Sequence, residues 1–132
     1  MAHYTFRTTF PGTLDAAIAR VTEALGDEGF GILTDIDMKA TLKKKLGLDV
    51  RPYRILGACN PPLAHQAVEA EPDIGVLLPC GVVVRQEEDG STAIVFMDPS
   101  VVLGVTGRED LAHLGAEIRA RLERVRDVVQ AG

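Results

Sequence analysis

The stretch VVVRQEEDGSTAIVFM, residues Val82 to Met97, decides the fold. Two runs rich in β-branched residues, Val82 to Gln86 and Thr92 to Met97, flank an acidic segment that turns the chain back at Gly90. Such runs read as strands, and a connection this short joins antiparallel neighbours, because a parallel crossover needs a dozen residues or more. The stretch predicts an antiparallel hairpin. Before it, Ile74 to Leu78 also reads as a strand, separated from Val82 by the bend Pro79-Cys80-Gly81.

Working outward, Tyr4, Phe6, Thr8 and Phe10 alternate with His3, Thr5, Arg7 and Thr9, the period-2 pattern of a strand. Thr13 is placed to cap a helix with an apolar stripe of Leu14, Ala17, Ile18, Val21 and Leu25. Phe30 to Ile36 reads as a strand, and Asp37 caps a short helix carrying Met38, Leu42 and Leu46 before Gly47 stops it. Tyr53 to Ala58 is a further strand. It leads into a helix with Asn60 at the N-cap and Pro61 at the first helical position, where a missing N–H costs nothing. Asp98 before Pro99 reads as a turn former. Thr106 and Glu109 have capping-box spacing, and Leu111, Leu114, Ile118, Leu122, Val125 and Val129 then keep helical spacing.

Five or six strands and four helices in mixed order predict an α+β fold. The expectation is a mostly antiparallel sheet with helices packed on it, two-layered, in a single domain over residues 1–132. With 46% hydrophobic and 25% charged residues the composition is that of a globular chain. The net charge of −5 argues against a nucleic-acid partner, and no apolar run approaches the length of a membrane helix. The N-terminus shows no apolar export signal, so the two cysteines are expected as reduced thiols in the cytoplasm.

Cys59 is expected beside the start of the Asn60-Pro61 helix, where free N–H groups and the helix dipole favour an anion and activate a thiol. It shares strand parity with Tyr53 and Ile55, so burial in the core is the competing reading. Cys80 shares parity with Val82 and Val84, and burial is again the plainer reading. Their spacing of 21 positions fits neither a Cys-x-x-Cys redox motif nor a paired zinc knuckle. His3, His65 and His113 read as surface groups, with His65 one turn from Glu69, so no metal site is expected. Lys39, Lys43, Lys44, Lys45, Arg51 and Arg54 form the one basic cluster, and Asp35, Asp37 and Asp98 are the carboxylates available for pairing. No Gly-x-Ser-x-Gly, Walker A or dinucleotide fingerprint occurs.

Lys-Ala-Thr-Leu at 39–42, Tyr-Arg-Ile-Leu-Gly-Ala-Cys-Asn-Pro at 53–61, Leu-Leu-Pro-Cys at 77–80 and the later Asp98-Pro99 together resemble the bacterial and archaeal family known as domain of unknown function 302. The resemblance implies a compact, self-associating α+β domain and brings no reaction, substrate or cofactor. Cys59, Asn60 and Pro61 match the family's Cys-Asn-Pro, and Pro79 with Cys80 its Pro-Cys. An asparagine commonly follows that second cysteine, where this chain has Gly81.

The favoured expectation is a non-enzymatic small-molecule or ion-binding module of unknown cofactor. Its site would involve Cys59, Asn60, Pro61 and Cys80, its ligand would be a small anion, and it would form a homodimer. A redox protein using Cys59 and Cys80, or a purely structural domain, are the alternatives.

Overall fold

The computed structural model describes residues 3–131. Strands β1 (Thr5–Phe10), β2 (Gly31–Asp37), β3 (Tyr53–Cys59), β4 (Cys80–Gln86) and β5 (Thr92–Met97) form one sheet in the order β1-β5-β4-β3-β2, and every neighbouring pair is antiparallel. Helices α1 (Leu14–Asp27), α2 (Met38–Leu46), α3 (Pro61–Ala70), α4 (Pro99–Gly104) and α5 (Glu109–Gln130) complete a single α+β domain. The β4–β5 hairpin forms as its sequence predicts, with Val82 opposite Phe96 and Val84 opposite Ile94.

Strand alternation sorts the side chains onto two faces. Phe6, Leu56, Ala58, Val82, Val84, Ile94 and Phe96 point into the core, where α1 contributes Val21 and Leu25 and α5 contributes Leu111, Ile118, Leu122, Val125 and Val129. On α5, a Cβ at Gly115 would stand 2.6 Å from the carbonyl oxygen of Pro99, so glycine is what lets α4 lie this close. Tyr53, Ile55, Val83, Arg85 and Val95 alternate onto the opposite, outer face. There α2 approaches, with Met38 and Leu42 beside Tyr53 and Ile55.

Four sequence expectations need correction. The inward set on β3 is Leu56 and Ala58, so Tyr53 and Ile55 face outward. Residues Pro72–Leu77 form a 3₁₀ helix instead of a strand, started by Glu71, whose side chain accepts from the Asp73 N–H, and anchored by buried Ile74. Asp98 does more than turn the chain: it caps α4, accepting from the Ser100 N–H at 2.9 Å. Arg108, not Thr106, is the N-cap of α5; the Thr106 hydroxyl accepts from the Arg108 N–H and donates to the Leu103 carbonyl.

Candidate functional site

At the end of the sheet where β3 finishes and β4 begins there is a cavity of about 200 Å³. Antiparallel pairing sets Ala58 opposite Cys80 on the core face, and Cys59 follows Ala58 directly. Both cysteines therefore reach the cavity although 21 positions separate them in sequence. Ala64 and Ala67 of α3, Leu103 of α4 and Ile118 of α5 supply the helix-side wall, and Phe30 and Leu33 close it from the β2 side. The small alanines leave the space. The larger groups around it are hydrocarbon.

The two thiols differ. Cys80 is 5% exposed, and burial, reinforced by the charge that Cys59 would carry, pushes its pKa up to about 11. Cys59 is half-exposed, and both are free thiols. The helix start beside Cys59 has its backbone donors removed or engaged. Pro61 and Pro62 carry no N–H, the Leu63 N–H donates to the Asn60 side-chain oxygen at 3.3 Å, and the Ala64 N–H donates to the Asn60 carbonyl at 2.8 Å. The first four helical positions of α3 therefore offer an anion no unengaged N–H.

Asn60 lines the cavity, and its amide is already engaged at both ends. Its oxygen caps α3, and its nitrogen donates to the Glu28 carbonyl at 3.3 Å, tying α3 to the end of α1. Pro61 is exposed and does not line the cavity. Of the four residues the sequence singles out, Cys59, Asn60 and Cys80 meet at this cavity, and Pro61 acts by starting the helix.

Two further positions shape the wall. A Cβ on Gly57 would lie 2.3 Å from the Thr34 hydroxyl and 2.7 Å from the Pro79 ring, so only glycine admits both neighbours over β3. In β2 the register shifts between Ile32 and Thr34, and the intervening Leu33 is turned to the cavity mouth, 65% exposed. A bulge has no signature in this sequence, so Leu33 was not legible as a site residue. Leu103 and Ile118 were hidden for a different reason: they reach the site through tertiary packing. Gly81 belongs to the outer-face parity of Val83, and a Cβ there would meet nothing within 4 Å. An asparagine at this position would fit without projecting from the face that Cys80 occupies.

The other candidates serve the fold. Asp35 takes a two-pronged bond from Arg54, Nε to Oδ1 at 2.8 Å, and the guanidinium holds its carboxyl below the usual range. Asp37 caps α2 through the Ala40 N–H at 2.9 Å. Asp98, almost fully buried, pairs with Arg119, whose guanidinium lies 4.5 Å over the Phe6 ring. His65 and Glu69 pair at 3.2 Å on the exposed side of α3. Among the described residues no three His, Cys, Asp or Glu side chains are grouped to hold a metal, and no helix is long and apolar enough to cross a membrane.

A family model described as Domain of unknown function DUF302 matches residues 4–129. An uncharacterized conserved DUF302 protein from Bacillus stearothermophilus, known from its crystal structure, is 32% identical with a TM-score of 0.90, over 97% of this chain and 99% of that one. No curated protein matches. The Cys-Asn-Pro and Pro-Cys motifs that meet at the cavity thus sit inside the matched region, and the chain belongs to the DUF302 family.

Proposed function

We propose that the chain is a binding module for a small uncharged ligand, held in the cavity where Cys59 and Cys80 converge. The observation that carries this reading is the convergence itself: two cysteines distant in sequence border one cavity whose remaining walls are nearly all hydrocarbon. An apolar cavity of roughly 150 Å³ accommodates benzene. One of about 200 Å³ suits a ligand of similar or slightly larger size, with the sulfurs as soft, polarizable contacts. An anion would lose its hydration there without finding donors, because the N–H groups at the start of α3 are absent or engaged. The anionic ligand expected from sequence therefore gives way to a neutral one.

The redox alternative asks Cys80 to act as a resolving thiolate. With a pKa of about 11, only about one Cys80 in ten thousand is ionised at pH 7, which weighs against it as an attacking group.

The reading is tested by titrating the protein with benzene and, in parallel, with acetate while following amide resonances. Benzene is expected to give saturable shifts at Cys59, Cys80 and Ala64, and acetate none. Ala64→Leu, which fills the cavity, is expected to abolish the benzene response. No saturation by benzene, or a response that ignores Ala64→Leu, would overturn the proposal.

A further inference from the structure

Helix α2 stands off the outer face of the sheet instead of packing onto it. Polar struts hold it in place: Asp37 caps it at the very end of β2, Lys39 Nζ donates to the Val50 carbonyl at 2.8 Å, and Lys43 pairs with Asp49 at 3.1 Å. None of its residues is buried. Met38 and Leu42 face Tyr53 and Ile55, yet all four are only half-buried, and between them lies a cleft of about 620 Å³. Small-molecule sites commonly measure roughly 300–1,000 Å³.

The charged groups at the rim are not equivalent. Asp49 is taken up by Lys43, and Arg85 by Glu87 at 2.8 Å. Arg51 is left over. Its Nε donates to the Gln86 carbonyl at 3.3 Å, and the Gln86 N–H donates to the Pro52 carbonyl at 3.0 Å, so the guanidinium is anchored on a fixed acceptor. Among the described residues its two terminal nitrogens have no hydrogen-bond or ion-pair partner. The uncompensated group at this cleft is therefore a positioned cation, in a chain whose net charge is −5.

We propose that the cleft binds a small amphipathic carboxylate. The hydrocarbon body lies between Met38 and Leu42 on one side and Tyr53 and Ile55 on the other, and the carboxylate accepts from the terminal nitrogens of Arg51. Each part of the ligand answers one part of the site. A bare anion would find a single exposed guanidinium, which water competes for, and would leave the apolar walls wet. A hydrocarbon without a charge would leave the anchored cation unused. One free guanidinium matches a single negative charge, and its paired N–H groups match the two oxygens of a carboxylate. The Met38 thioether chain lets the roof adjust to the body beneath it. This site is separate from the thiol cavity, which lies on the other side of the sheet and favours a neutral guest.

The test follows amide resonances of the full chain during titration with octanoate below its micelle threshold, with circular dichroism as the folding control. Saturable shifts are expected at Leu42, Arg51 and Ile55. Hexanoate is expected to bind roughly tenfold more weakly, since two buried CH₂ groups are lost, and acetate to give no response. Arg51→Gln, on an exposed side chain, is expected to weaken octanoate roughly tenfold while leaving 1-octanol unchanged. Leu42→Glu is expected to abolish octanoate binding, and Ala64→Leu, in the thiol cavity, to leave it intact. No saturation by octanoate would overturn the proposal. So would shifts at Cys59, Cys80 and Ala64 in place of the cleft residues, or an octanoate affinity indifferent to Arg51→Gln.

Discussion

The two faces of the sheet are built from the same strands by the same alternation, yet they have different fates. Leu56, Val82, Val84, Ile94 and Phe96 are at most 1% exposed beneath α1, α3, α4 and α5. Ile55, Val83 and Val95, one residue along on the same strands, are also apolar but remain half-buried. Hydrophobicity alone does not decide which face becomes the core. The helices decide it, through amphipathic stripes long enough to cover one side only. α1 and α5 run 14 and 22 residues with buried stripes, whereas α2 has 9 residues and buries none. A face that is apolar without being covered is the sort that marks an interaction surface.

The sharpest way to break this comparison is to cut the same strand on both sides. Leu56→Ala removes a side chain packed on every side and is expected to cost about 3 kcal/mol, within the range for buried leucines. Val83→Ala, on the outer face, is expected to cost less than about 1 kcal/mol when measured in dilute protein, where association adds nothing. Urea unfolding of the two variants checks it. Equal losses would mean that the outer face is as fully packed as the inner.

The covered face also makes a pH-dependent prediction through Cys80. Its folded pKa of about 11 lies above the ordinary 9.0, so folding favours the neutral thiol. Below pH 9 both states keep the proton and stability is unaffected. Between pH 9 and 11 the unfolded chain ionises first, binds fewer protons than the native state, and stability falls as pH rises. The rise from 9.0 to about 11 corresponds to about 3 kcal/mol lost across that window. The same loss is expected to be absent from Cys80→Val, so the difference between the two proteins at pH 8 and pH 11 isolates the thiol from other alkaline titrations. A wild type and variant that decline in parallel would show that the Cys80 environment is not what penalises the charge.

How much of this was legible in the sequence follows from the same contrast. β1, β4 and β5 alternate apolar with polar or smaller groups, or lie in a hairpin with a clear turn, and the sequence reading of them agrees with the structure except that Cys80 and Gly81, read as part of a bend, already pair with β3 as the start of β4. β3 misleads because both of its faces are apolar: Tyr53 and Ile55 on one, Leu56 and Ala58 on the other. Periodicity cannot orient such a strand: Cys59 does share the parity of Tyr53 and Ile55, but that parity faces outward and not into the core. The Pro72–Leu77 segment carries strand-like residues but begins with Pro72 behind the capping side chain of Glu71, and that local bonding closes a 3₁₀ turn. α4 was readable in principle. Asp98-Pro99 has the same cap-then-proline grammar as Asn60-Pro61, but six residues show too little periodicity to read as a helix from sequence. At the candidate site the motif residues were legible, while the hydrocarbon walls and the Leu33 bulge come from packing between elements remote in sequence.

The smallest expected effect separates what Asn60 does for the fold from what it does for the cavity. Its oxygen caps α3 and its nitrogen reaches the Glu28 carbonyl, so the two halves of one amide hold two elements. Asn60→Ala removes both bonds and is expected to cost about 1–2 kcal/mol, the upper part reflecting burial of the site. Asn60→Asp keeps the capping oxygen and adds favourable charge at the helix start, but it sets a carboxylate against the Glu28 carbonyl, to which the Arg121 guanidinium also donates at 3.2 Å. Two results distinguish the roles. If stability follows the cap alone, Asn60→Asp will match the wild type at pH 7. If the link to Glu28 also matters, Asn60→Asp will be weaker at pH 7 and regain stability as pH falls and the carboxyl takes up a proton that it can donate to that carbonyl. The geometry favours the first result. Arg121, which donates to the Glu28 carbonyl at 3.2 Å and whose Nε is buried without a partner among the described residues, stands beside the new carboxylate and offers it a charged donor in place of the lost link.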